Sequence, residues 1–323
     1  MKAAIVFEKG SIPQYADCPE PEITNENEVL VTVKAASIKN LDKARASGKH
    51  YSTESEVHKP TIVGSDGVGY LENGSKVYFF SKKGTVAEKA VANPNMMVAI
   101  PEGLDFSIAA ALPNAVMGSA MALKFKAGIQ PGNVVLVNGA TGITGRIAVQ
   151  IAKVYGAKKI IVTGRNEESL KALRELGADE VVSLQLSDED FKTRIKEIHN
   201  ESPIDIVIDY IWGHSVEMIL SAFKGDGTFS HTTKLVTIGG MSGDTIQLSS
   251  QILRATDIRI SGSGLGSWTK EESALLFSEI IPEMFKAAVE GKIKIETEEV
   301  DIKNIETVWN AEVQTGKRLV VRI

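Results

Sequence analysis

The sequence predicts an α/β protein in which a doubly wound parallel sheet is inserted into a β-rich domain. Three observations carry this. Residues 131–261 alternate short β-rich runs with helical runs, the pattern of parallel strands joined by helical crossovers. One strand–turn–helix step in this stretch carries Gly139, Gly142 and Gly145. The flanking segments differ: residues 1–100 are short β-rich runs separated by Gly, Pro, Asn and Ser, and the tail closes with a helix and two further β-like segments.

Taken in order, the first part offers β-rich runs at 29–36, 61–63, 76–80 and 98–100. The apolar stretch Ile108–Phe125 is interrupted by Pro113, Asn114, Gly118 and Ser119, which predicts packed helix and loop and a poor membrane span. Strands follow at 134–138, 159–163, 180–183, 204–210, 234–239 and 257–261, with helices at 143–155, 167–176, 187–199 and 214–222. Asn166 can cap the second of these helices, and Glu167 and Glu168 suit its positive end. Helical periodicity returns at 274–291 and ends on Gly291; β-like segments cover 295–300 and 318–323. Since 323 residues suffice for about two domains, the expected division is 1–117 with 265–323, and 118–264 between them.

A net charge of −5 without a long basic run argues against nucleic acid as a partner. Met1–Val6 begins a strand and lacks the apolar stretch of a signal peptide. A single cysteine, Cys18, excludes an intramolecular disulfide and points to a cytoplasmic enzyme. Neither a membrane nor a nucleic acid is therefore expected as a partner.

The most informative stretch is Val134–Gly145, Val-Val-Leu-Val-Asn-Gly-Ala-Thr-Gly-Ile-Thr-Gly. A buried strand runs into a glycine turn, and a helix with Ile147, Ala148, Ile151 and Ala152 on one face follows. Such a turn presents backbone N–H groups and a helix N-terminus to a pyrophosphate. The candidate contacts are Asn138, Gly139, Ala140, Thr141, Gly142, Ile143 and Thr144. The spacing is G-x-x-G-x-x-G, and an ordinary strand–helix turn is the alternative. About 20 residues on, where an NAD site places a carboxylate on the ribose, stand Gly164 and Arg165. A guanidinium there can bind a 2′-phosphate bidentately, so NADPH is the expected cofactor. The alternative is that Arg165 stacks on adenine and either cofactor fits.

Several motifs occur in a recognisable order: Asn27-Glu28-Val29-Leu30-Val31, Gly64-Ser65-Asp66-Gly67-Val68-Gly69, Gly84-Thr85-Val86-Ala87-Glu88 and Ala109-Ala110-Ala111-Leu112-Pro113. They continue through Gln130-Pro131-Gly132-Asn133, the glycine turn, Leu176-Gly177-Ala178-Asp179 and Thr315-Gly316-Lys317. Over essentially the whole chain this resembles the medium-chain dehydrogenase/reductase superfamily, nearest its zinc-free quinone oxidoreductase branch. The resemblance implies a Rossmann-type sheet inserted into a GroES-like catalytic domain. It also implies a homodimer paired through the last strand of that sheet, here Ile258–Ser261.

Departures from the family set the expected chemistry. Zinc-dependent members carry Gly-His-Glu where this chain has Gly64-Ser65-Asp66, and a Cys near position 39, where this chain has Lys39. No metal ligand is assigned. Asp66 with His50 or His58 is the alternative, against a hydrogen-bonded structural carboxylate. Without a Lewis acid, reduction suits acceptors with their own electron sink, quinones and α,β-unsaturated carbonyls. The loop after 29–36 carries the family's catalytic positions imperfectly, and Lys39, Asn40 and Tyr51 are the candidates. Lys39 is equally readable as an ion-pair partner of Asp42 or Asp66, Tyr51 as a rim aromatic and His50 as a solvated loop residue. Ser119 replaces a family Thr near the nicotinamide. Gly239 and Gly240 end a parallel strand at its carboxyl edge, and Leu265 and Lys317 complete the candidate cofactor contacts. The expected activity is NADPH-dependent, zinc-independent reduction of a small hydrophobic quinone, enone or enal. A 2-enoyl thioester reductase, for which no basic carrier groove is evident, and a non-catalytic NADPH sensor are the alternatives.

Overall fold

The short, punctuated runs of the first hundred residues form strands, and a computed structural model describes residues 1–48, 59–225 and 229–323. In chain order come β1 (Lys2–Val6), β2 (Gln14–Asp17), β3 (Val29–Ser37), α1 (Asn40–Ala46), β4 (Thr61–Ile62), β5 (Asp66–Tyr70), β6 (Lys76–Phe80), β7 (Lys89–Ala92), β8 (Met97–Ala99) and α2 (Phe106–Met121). The alternating middle follows: β9 (Val134–Asn138), α3 (Ile143–Val154), β10 (Lys159–Gly164), α4 (Glu167–Glu175), β11 (Glu180–Ser183), α5 (Asp188–Glu201), β12 (Ile206–Asp209), α6 (His214–Ala222), β13 (Thr233–Thr237), α7 (Ser250–Ala255) and β14 (Ile258–Gly262). The tail holds α8 (Lys270–Leu275), α9 (Ile281–Val289), β15 (Glu296–Asp301), α10 (Ile305–Val308) and β16 (Lys317–Arg322).

The chain divides into two units. One comprises Met1–Pro113, Phe277–Gly291 and Ile295–Ile323; the other comprises Asn114–Leu276 and Lys292–Lys294. The breaks thus fall after Pro113 and after Leu276, against 117 and 264 read from the sequence. The second unit is a six-stranded, all-parallel sheet in the order β11-β10-β9-β12-β13-β14. Successive strands run outward from β9 in one direction and from β12 in the other, so the switch point lies between the carboxyl ends of β9 and β12. Open parallel sheets bind ligands at that place. Leu136, Ile161, Val207 and Leu235 from four of the strands share one core with Phe191, Ile195, Val216 and Ile219 from the helices.

The first unit carries a seven-stranded sheet, β15-β16-β3-β5-β6-β8 with β7 added to β3, and a three-stranded sheet β2-β1-β4. The architecture is the Rossmann-type sheet inserted in a β-rich domain that the sequence predicts.

One local expectation is corrected. Ile108–Phe125 is not broken into helix and loop: α2 runs through Pro113, Gly118 and Ser119 and continues in wider π-type turns from Ala122 to Ala127. An interior proline costs about 3 kcal/mol, but Leu112, Ala115, Val116 and Met121 around it are fully buried, and their packing offsets that cost. The segment Phe106–Ala127 is long and apolar enough to cross a bilayer, yet 72% of its apolar window is buried inside the fold, as a core helix would be. The tail helix is likewise continuous, with a π-type segment at Leu276–Ile280 joining α8 directly to α9.

Candidate functional site

The glycine turn forms at the carboxyl end of β9, beside the switch point. Gly139 has φ +82°, and a Cβ there would meet the Ile211 side chain at 2.8 Å; only glycine leaves the strand this way. At Gly145 a Cβ would lie 2.5 Å from Ala140 Cα, so α3 packs on the turn through a glycine. Gly142 is the helix N-cap, exposed, with open space where a side chain would be and no side-chain cap. The first-turn N–H groups of α3 therefore lack the acceptor that a cap would supply. Ile143 and Thr144 are half-buried in that first turn. Donors, room and dipole at one point fit a dinucleotide pyrophosphate.

The turn is held from below by a row of buried polar side chains across four strands. Thr163 (β10) donates to Asn138 Oδ1 (β9) at 2.6 Å and accepts from the Gly139 N–H at 3.1 Å. Asn138 Nδ2 donates to Asp209 Oδ1 (β12) at 2.8 Å and to Ser215 Oγ at 2.9 Å. Thr237 (β13) donates to Asp209 Oδ2 at 3.0 Å. The N–H groups of Ile211 and Trp212 also donate to the Asp209 carboxylate, at 3.2 and 3.1 Å. Burial pushes the Asp209 carboxyl above its ordinary range, opposed by these donors. Asn138 is fully buried and its amide is committed to this row, so the amide acts as a support beneath the turn. Ala140 is also buried, its N–H on Thr163 O at 2.9 Å, and Thr141 O accepts from Arg146 Nε at 3.3 Å.

The other candidates of this unit distribute along the same sheet edge. Gly164 ends β10, and Arg165 follows it, exposed, before Asn166 caps α4 through the Ser169 N–H at 2.8 Å. Gly239 and Gly240 follow β13. Ser119 is buried on α2, its hydroxyl donating to Thr144 O at 3.2 Å and paired with the Tyr210 hydroxyl at 2.8 Å. Leu265 sits 63% exposed in a single 3₁₀ turn after β14.

Lys317, Lys39 and Asn40 belong to the other unit. Lys317 opens β16 opposite Glu296 of β15. Lys39 is the N-cap of α1 and only 3% exposed. Its ammonium pairs with Asp66 Oδ1, with Asp42 Oδ2 at 3.4 Å and with Ser37 Oγ at 3.4 Å, so three acceptors meet its three protons. Asp42 Oδ1 accepts from Ser65 Oγ at 2.7 Å, and Asp66 Oδ2 accepts from the Tyr78 phenol at 2.8 Å. Burial and then the two carboxylates push the Tyr78 phenol well above its ordinary value. Burial lowers the Arg318 guanidinium while Asp66 and Asp42 act against the shift. Around this position the donor set is carboxylates and hydroxyls already engaged by a lysine. No thiol or imidazole is among these partners, a poor fit to tetrahedral zinc. Asn40, the first residue of α1, is exposed. Tyr51, His50 and His58 lie outside the described residues.

Asp209, Thr163 and Tyr210 were not singled out from the sequence. The available signal was positional: each stands at the carboxyl end of a strand, beside the turn or the switch point.

A family model described as zinc-binding dehydrogenase matches residues 144–280, a range that excludes the Lys39–Asp66 cluster. Human quinone oxidoreductase is 30% identical over 283 residues, covering 84% of this chain and 82% of that protein. The mitochondrial enoyl-[acyl-carrier-protein] reductase of Caenorhabditis elegans is 27% identical, covering 90% of this chain and 86% of that protein. Among solved structures, the quinone oxidoreductase of Thermus thermophilus, known also in complex with NADPH, superposes with a TM-score of 0.80 at 26% identity over all of both chains. A mycobacterial quinone oxidoreductase superposes with a TM-score of 0.85 at 21% identity, over all of both chains. The chain belongs to the medium-chain dehydrogenase/reductase superfamily, as an oxidoreductase of its quinone oxidoreductase-like branch.

Proposed function

We propose that the protein reduces a small hydrophobic quinone, enone or enal with NADPH, without zinc. The observation that carries this is the pairing of an uncapped α3 N-terminus with an exposed Arg165 where a ribose-binding carboxylate would stand. When bound, the nicotinamide would supply hydride. The chain's own residues bind and orient: the glycine turn takes the pyrophosphate, Arg165 the 2′-phosphate, and the backbone after β13, at Gly239 and Gly240, the carboxamide. Hydride added to an enone or enal β-carbon would leave an enolate, which takes a proton from solvent at the α-carbon; a quinone that accepts hydride would leave a phenolate, which takes its proton on oxygen. Asn40 and Tyr51 remain the proposed donors to the developing oxyanion. Lys39 is assigned to charge balance within its own unit, because its protons are already taken by Ser37, Asp42 and Asp66. That same arrangement supports zinc independence.

Two copies are proposed to pair through β14. It is the last strand of its sheet, and Arg259, Ile260, Ser261 and Gly262 along it are exposed; such an edge calls for pairing or cover. Light scattering should give twice the chain mass of 34.8 kDa; a monomer at micromolar concentration would refute the pairing. A cytoplasmic location is the companion expectation. A second reading, reduction of a 2-enoyl thioester, is favoured by the longer match to the enoyl reductase of Caenorhabditis elegans.

A panel of quinones, enones, enals and enoyl thioesters followed at 340 nm separates these readings. NADPH should bind more tightly than NADH, and Arg165→Ala should weaken NADPH roughly 10- to 100-fold while leaving NADH unchanged. Equal binding of both cofactors by the wild type would overturn the 2′-phosphate assignment. Saturable NADPH binding with no turnover on any acceptor would favour a sensor.

A further inference from the structure

Tyr210 immediately follows β12, on the far side of the switch point from the pyrophosphate turn. Its phenol is buried and 2.8 Å from Ser119 Oγ, which is 3.2 Å from the Thr144 carbonyl. A carbonyl only accepts and a serine hydroxyl has one proton. The order is therefore set: Tyr210 donates to Ser119, and Ser119 donates to Thr144. Burial raises the Tyr210 phenol far above its ordinary value, so it keeps that proton throughout the neutral range.

The neighbours place this chain of hydrogen bonds. A Cβ on Gly118 would lie 3.2 Å from the Thr144 methyl and 3.5 Å from Ile238, and one on Gly239 would lie 2.6 Å from Tyr210 O. Gly118–Ser119, Thr144, Tyr210 and Ile238–Gly239 thus form one patch over the ends of β12 and β13. The backbone beside it is strained. Trp212 is the one non-glycine residue with positive φ among the described residues, at +55°. The Asp209 carboxylate holds the Ile211 and Trp212 N–H groups in that turn, and such strain persists where surrounding structure imposes it.

This inference rests on the proposed NADPH site. There the 2′-phosphate end lies at Gly164–Arg165, at the end of β10, and the pyrophosphate lies at α3. The strand order puts β10 and β12 on opposite sides of β9, so the nicotinamide half must run towards β12 and β13. We propose that Tyr210 is a positioning residue for the nicotinamide ring, acting through Ser119 on the first turn of α3. The group makes no demand on affinity: it fixes where the ring lies, and displacements of about 1 Å at a reacting centre can cost up to about 100-fold in rate.

The test compares Tyr210→Phe, Ser119→Ala, the double variant and Ser119→Thr. Turnover is followed with a quinone, binding is measured with NADPH and with 2′,5′-ADP (which lacks the nicotinamide), and the emission of bound NADPH is recorded. We expect Tyr210→Phe and Ser119→Ala each to lower kcat roughly tenfold and to shift the bound-NADPH emission, with 2′,5′-ADP affinity unchanged. The double variant should be no worse than either single variant, and Ser119→Thr, which keeps the hydroxyl, should lose less kcat than Ser119→Ala. Unchanged kcat and emission in Tyr210→Phe would overturn the proposal. Equal weakening of NADPH and 2′,5′-ADP would also overturn it, since that is the signature of general loosening. Failure of the wild type to bind NADPH saturably would instead remove the cofactor reading on which the proposal stands.

Discussion

Replacing Lys39 by Met removes one charge from a buried cluster while keeping an unbranched apolar side chain in its place. The side chains of Lys39 and Asp66 are 2% and 1% exposed, so water cannot replace the lost partner. Asp66 would retain the Tyr78 phenol, and Asp42 would retain Ser65 and the Lys39 backbone N–H, but both carboxylates would lose the ammonium they share. Breaking a buried pair from one side costs about 3–5 kcal/mol, which for a domain of this size lowers Tm on the order of 10 °C. The double variant Lys39→Met/Asp66→Asn restores the wild-type net charge of the cluster and leaves an amide oxygen for Tyr78. It should recover most of that loss, because removing both partners is far cheaper than orphaning one. Thermal unfolding followed by circular dichroism, with kcat measured well below Tm, checks both statements. The reasoning requires kcat of the folded Lys39→Met variant to stay within about threefold of wild type. A fall of 100-fold or more with Tm unchanged would show that the ammonium acts on the reacting atoms, and the structural assignment would be wrong.

Gly145→Ala places a methyl 2.5 Å from Ala140 Cα, so α3 must shift away from its turn. NADPH affinity should fall at least about tenfold, and unchanged affinity by fluorescence titration would refute the close-packing role. Two histidines should titrate on opposite sides of the ordinary value of 6.5. The hydrogen bond that His214 donates to Asp188 raises His214, so its pairing stabilises fully below the unfolded value and is lost as pH rises through the folded one. Burial lowers His199, packed against the Phe223 ring at 4.7 Å, so its contribution is present at higher pH and is lost as pH falls below 6.5. NMR titration reads both midpoints. Asp188→Asn should return His214 towards the ordinary value while leaving His199 in place, and a single common midpoint would contradict both environments.

The alternation of strand and helix from Val134 to Gly262 was legible because period and punctuation are local properties. Apolar strands, Asn166 as a cap and glycines at a turn declare themselves within a few residues. The glycine turn with Gly164 and Arg165 was legible for the same reason, since it depends on spacing along a single strand–helix–strand path. Local reading failed where packing outweighed propensity. Pro113, Gly118 and Ser119 look like breaks, but they lie inside α2, because the burial of their neighbours outweighs the local cost. The role of Lys39 was undecidable from sequence: catalytic donor and ion-pair partner demand the same residue. Only the pairing of β5 with β3 and of β6 with β5 brings Asp66, and through it Tyr78, to Lys39 across 27 and 39 positions. The support beneath the turn was invisible for a related reason. Thr163, Asp209 and Thr237 are unremarkable in sequence and Asn138 reads there as a cofactor contact; their common function arises from the register of four parallel strands. Sequence alone therefore determined the family and the strand–helix architecture. Tertiary structure decided which polar groups are free to meet a ligand and which are already spent on one another, because a hydrogen bond between distant residues leaves no period in the chain.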